Sequence, residues 1–151
     1  MNGESMSQRI PASVTEMETD ILDYITKWWA QPLRQDRYGY PGLPTFNILQ
    51  KRYGKQGMGQ YDFYLTGYTN VILWQHLSVT LATAIVNLCV RENIHWHHDL
   101  AFAFYLIQGS PLALPLAEWP ITQEYDKPHW LPVYFKLEPL CDSLDCPKRK
   151  Q

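Results

Sequence analysis

The hydrophobic period of this chain changes along its length, from the 3.6-residue spacing of a helix to the two-residue spacing of a strand. Only a fold that contains both kinds of element accommodates that change. Met17, Ile21, Tyr24, Ile25 and Trp28 recur at i, i+4, i+7, i+8 and i+11, which lines one face of a helix reaching about Ala30. Ahead of them Ser13-Val14-Thr15-Glu16 has the S-x-x-E form of a capping box, where Ser and Glu satisfy each other's orphan N–H groups. Pro32 lies just beyond, where its ring cannot continue a helix. From Tyr61 the period is two: Tyr61, Phe63 and Leu65 alternate with Asp62 and Tyr64, and Val71 and Leu73 alternate with Ile72 and Trp74. Thr66-Gly67-Tyr68-Thr69 between these runs makes them a hairpin. Helical spacing returns after Ser78, a cap, with Leu81, Ala84, Ile85, Leu88 and Cys89 on one face and Asn93 placed as a left-handed terminator.

Shorter segments complete the order. Thr45 to Tyr53 suits a short helix with Phe46, Leu49 and Tyr53 on one side, ended by Gly54, Gly57 and Gly59, which open a flexible connection. From Leu100 to Ile107 large and small apolar residues alternate, which fits a strand buried on both faces; a buried helix capped by Asp99 is the alternative. The strand is expected, because Gln108-Gly109-Ser110-Pro111 reads as a turn and Leu112 to Ala117 could return alongside, as an edge on account of Pro115. Val133, Phe135 and Leu137 alternate with Tyr134, Lys136 and Glu138 in a last strand. The sum is one α+β domain over residues 13–138, with a mainly antiparallel sheet and two main helices, compatible with a winged-helix-like arrangement. Residues 1–12 read as a lead, 31–45 as a loop and 139–151 as a tail.

At 151 residues and 46% hydrophobic content, such a domain needs no metal or disulfide staple to fold. Its longest apolar run, Leu100 to Ile107, falls far short of the roughly 20 residues of a membrane span. Met1 to Pro11 carries no apolar signal core, so a cytoplasmic protein with no membrane partner is expected. Cys89 reads as a small core residue. Cys141 and Cys146 form a C-x4-C with no second ligand pair at zinc-site spacing, which predicts reduced thiols.

Charge is unevenly spread. Residues 27–60 carry Lys27, Arg34, Arg37, Lys51, Arg52 and Lys55 against the single acid Asp36, although the whole chain has a net charge of -2. Tyr38, Tyr40 and Tyr53 lie among these cations. Clustered cations with interleaved rings are what a phosphate-bearing partner needs, the cations for phosphates and the rings for stacking on bases. Trp28 and Trp29 stand about 100° apart around a helix, so one of them is expected near the surface. Trp29, Arg34, Arg37, Tyr38, Tyr40, Lys51, Arg52 and Lys55 therefore form the candidate surface for nucleic acid or, equally, for a protein partner or a second copy in a homo-oligomer.

Chemistry has weaker signals. In His95-Trp96-His97-His98-Asp99 an extended backbone projects His95, His97 and Asp99 to one side, a partial ligand set for zinc to which His76, His129 or Cys89 are the candidates to add, with a polar loop closing the second helix as the plainer reading. Gly54-Lys55-Gln56-Gly57-Met58-Gly59 lacks the spacing of a phosphate-binding loop and precedes a strand. No serine lies in a G-x-S-x-G elbow. The expectation is a non-enzymatic binding domain without a cofactor, with a small zinc-dependent enzyme as the lesser alternative.

Overall fold

Ser13 opens the first helix, α1 (Val14–Trp29), by accepting the Glu16 backbone N–H at 3.1 Å, and Met17, Ile21, Ile25 and Trp28 are the face it buries. The computed structural model describes residues 13–31 and 43–139. Thr45 caps α2 (Phe46–Arg52) in the same way, accepting from the Ile48 N–H at 3.1 Å. A single 3-10 turn, Gly54–Gly57, follows directly, so the glycines beyond α2 form a tight junction between elements. Gly57 sits against α2 so closely that a Cβ there would lie 2.5 Å from the Gln50 carbonyl oxygen. The Gly57 carbonyl accepts both the Ser78 backbone N–H and the Gln50 Nε2.

The hairpin stands as its two-residue period implies. Strand β1 (Met58–Tyr64) pairs antiparallel with β2 (Val71–Leu77), with irregular register between Met58 and Tyr64. β1 is an edge and largely exposed, whereas Val71, Ile72, Leu73 and Trp74 of β2 are buried in succession. That unbroken burial marks a strand covered on both faces. Ser78 caps α3 (Val79–Val90), which packs against α1. Glu18 of α1 ties the pair together, accepting from Asn87 at 2.7 Å and from Arg91 at 2.6 Å. The left-handed residue after α3 is Glu92 (φ 61°), one position before the expected Asn93. Asn93 instead donates its N–H to the Leu88 carbonyl and Glu92 donates to that of Cys89, the pair of hydrogen bonds that closes a Schellman motif.

Beyond α3 the structure corrects several expectations. His95–His97 form a short strand, β3, and residues 101–108 form helix α4 (Ala101–Gln108) where a strand was expected. Ala101, Phe104 and Tyr105 are its buried residues, at i, i+3 and i+4. Leu100, in the left-handed region at φ 63°, precedes the helix with no side-chain cap, so Asp99 does not play that part. Residues 112–117 make no returning strand; Leu116 forms one isolated parallel bridge to Trp130. Strand β4 (His129–Trp130) pairs parallel with β2, so the three-stranded sheet, order β1-β2-β4, is mixed. The last strand, β5 (Tyr134–Lys136), pairs antiparallel with β3 in a separate small sheet.

The chain is thus α+β, with one main core where both long helices meet β2, Trp130 and Phe135. The finer winged-helix description draws nothing from this strand order. Buried polar groups lock α2 to its surroundings. The Tyr105 hydroxyl donates to the Val133 carbonyl at 2.7 Å and accepts the Phe46 N–H at 3.0 Å. Gln50 accepts from the Trp74 indole and donates to the His76 carbonyl. No helix among the described residues is long and apolar enough to cross a membrane.

Candidate functional site

The residues singled out by charge are only partly gathered. Arg34, Arg37, Tyr38 and Tyr40 lie outside the described residues. Arg52 is held by Asp20, its Nε 2.8 Å from Oδ2 and its terminal nitrogen 3.1 Å from Oδ1, while its guanidinium lies 4.6 Å from the Tyr24 ring centroid. The Tyr53 hydroxyl donates to the same carboxylate at 2.5 Å. This network raises the Arg52 pKa through Asp20, and burial followed by the Asp20 bond raises that of Tyr53. Lys27 pairs with Asp23 at 3.1 Å. Two of the four described cations of the window are therefore balanced by aspartates of α1, while Lys51 and Lys55 are exposed and form no ion pair with a described residue. Trp29 is half-buried, as the geometry of the adjacent pair requires. Its indole donates to the Phe135 carbonyl at 2.8 Å, and Lys136 sits 4.8 Å from its ring centroid.

Among the described residues the zinc alternative finds no ligand set. His95 and His97 are buried, Asp99 is exposed and accepts from the Tyr134 hydroxyl, and the His97 Nε2 faces the Glu138 carbonyl at 2.8 Å. A carbonyl only accepts, so this nitrogen carries the proton and has no lone pair to offer a metal. Burial lowers the pKa of His97 and of His98. Among the described residues no three His, Cys, Asp or Glu side chains form a group that could hold a metal ion.

A concavity among the described residues lies elsewhere, beside the β1–β2 hairpin. It measures about 580 Å³. The hairpin supplies Phe63, Tyr64, Leu65, Thr66, Tyr68 and Leu73, and the last turns of α3 supply Val86, Cys89 and Val90, with Glu92 just after. Trp96 of β3 and Trp119 form another side, and Phe46 and Phe135, both fully buried, complete the lining from the core. Each position has a local cause. The irregular end of β1 and the turn after it bring Phe63 to Thr66 in succession to the hollow, the helical repeat puts Val86, Cys89 and Val90 on one stripe of α3, and the Schellman turn carries Glu92 to the edge.

The walls are held by ring packing. Trp119 stands perpendicular to Trp96 with centroids 5.2 Å apart and edge-on to Tyr68 at 6.0 Å. Phe46 contacts Phe63 at 5.2 Å and Phe135 at 5.1 Å. The Trp119 indole N–H is buried and lacks a hydrogen-bond acceptor among the described residues. A second hollow, of about 500 Å³, opens between the capping residues Ser13 and Ser78 of α1 and α3, with Lys55 on its lining.

Sequence reasoning missed the aromatic hollow because its lining comes from six separate stretches and contains no motif. Its one trace in the sequence is compositional, an aromatic content of 14%. No protein-family model, no curated protein and no solved structure matches this chain.

Proposed function

We propose that this chain is a binding domain whose site is the aromatic hollow between the β1–β2 hairpin, the end of α3 and Trp119. The observation that carries this reading is the hollow's chemistry. A well-formed apolar concavity of several hundred cubic ångströms, with few polar groups, is the usual form of a small-molecule site. The apolar rings around it supply burial worth about 25 cal/mol for each Å² of ligand surface removed from water. The neutral solvatochromic dye Nile red tests it. One dye should bind saturably per chain, and Val86→Trp, which places an indole in the hollow from a helix surface, should weaken binding at least about tenfold. Non-saturable binding, or an affinity indifferent to Val86→Trp, overturns the reading.

A second reading keeps the phosphate-bearing partner. It is favoured by Lys51 and Lys55, both exposed, and by the place of Lys55 on the hollow shared by two helix starts, where partial positive charge gathers. Its test is a salt titration against mixed single- and double-stranded oligonucleotides. Affinity should fall steeply with salt, and each of Lys51→Ala and Lys55→Ala should reduce the slope by about one. Binding that is absent, or unchanged by salt, removes this second reading.

A further inference from the structure

From the same hollow, and resting on the reading that it binds a small molecule, we infer that its ligand is an organic cation with an apolar body. Among the described residues that line the hollow, Glu92 is the only one with a formal charge at neutral pH, and no lysine, arginine or histidine is among them. Glu92 forms no ion pair with a described residue, in contrast to the neighbouring Arg91, whose charge is held by Glu18. Its left-handed backbone within the Schellman turn sets it at the edge of the cavity, not along the outer surface of α3.

The end of α3 adds to the same sign of field. Val86, Cys89 and Val90 line the hollow from the last turns of a 12-residue helix, whose C-terminus carries partial negative charge. Around this electronegative edge stand Phe63, Tyr68, Trp96 and Trp119. Aromatic faces attract a poorly hydrated cation through their quadrupole, most strongly where water is excluded, and tryptophan is the strongest of them. An anion would meet Glu92, the helix end and these ring faces, all unfavourable, against the single gain of the Trp119 indole N–H as a donor. A neutral apolar molecule would gain burial alone.

Benzyltrimethylammonium and its neutral carbon isostere neopentylbenzene have nearly the same shape and differ in charge. Their binding to the full chain can be followed by the shifts of the Trp96 and Trp119 indole N–H resonances. The cation should bind at least about tenfold tighter than the isostere, the order expected for a desolvated cation–ring contact. Glu92→Gln should lower the cation's affinity about threefold to tenfold, leave the isostere unchanged and, as an exposed isosteric change, leave folding intact. Equal affinity for both probes overturns the choice of a cation while leaving the hollow as a neutral-ligand site. Failure of both probes to move either indole overturns the hollow itself.

Discussion

Tyr105 illustrates how single polar atoms hold this fold together. Its side chain is fully buried, and burial drives its phenol pKa well above the ordinary value, so the hydroxyl stays protonated and bridges Phe46 to Val133. Tyr105→Phe leaves a buried N–H and a buried carbonyl without that partner, and should cost about 1–3 kcal/mol in urea unfolding; a loss below about 0.5 kcal/mol would contradict the bridge. Titratable groups give a pH signature with a definite sign. Burial lowers the folded pKa of His97 and His98 from 6.5, so the unfolded chain takes up those protons first and stability falls as pH drops below about 6.5. Glu18 is lowered from 4.5, first by the Arg91 hydrogen bond and then by Asn87, so its contribution is complete above about 4.5 and lost as pH falls through its lower folded value. Unfolding free energy measured from pH 8 to pH 3 should therefore decline in two stages. Glu18→Gln should reduce the second and His97→Asn should reduce the first, whereas a rise in stability on acidification would refute the assignment.

Secondary structure was legible where one period dominates and one face is buried. Helices α1 and α3 follow from their stripes, the hairpin from its two-residue period and Gly-containing loop, and Ser13 and Ser78 act as the caps their positions imply. Residues 100–107 were not legible, because every one of them is apolar and both periods fit. The structure resolves this by burying Ala101, Phe104 and Tyr105 while leaving Phe102, Leu106 and Ile107 exposed. The two assignments make opposite predictions, since a strand would put Phe104 and Leu106 on one face. Phe104→Ala should cost about 3–5 kcal/mol, while Leu106→Lys should stay within about 0.5 kcal/mol. Comparable losses at both positions would restore the strand. Strand β3 escaped notice because three residues are too few for a period to declare itself, and β4 because two are. Gly57 marks the junction of α2, the 3-10 turn and β1. Gly57→Ala must displace the Gln50 backbone, so thermal unfolding should show a loss of about 1–3 kcal/mol, and an unchanged midpoint would mean that the junction yields freely.

For the molecule as a whole, the candidate site was the least legible part. The basic window stood out by composition, yet Asp23 neutralises Lys27 four residues on within α1, and Asp20 neutralises Arg52, a pairing visible only once α1 and α2 are placed side by side. The aromatic hollow left no local trace, because Phe63, Val86, Trp96 and Trp119 are brought together only by the packing of hairpin, helix and loop. Whether the hollow is where this protein binds can be decided by a fragment screen of the full chain, charged and neutral compounds together, mapped by chemical-shift changes residue by residue. The shifts should converge on Phe63, Tyr68, Val86, Val90 and Trp119. Convergence on Lys51 and Lys55, or on the exposed side of α4 at Leu106 and Ile107, with the hollow silent, would contradict that assignment.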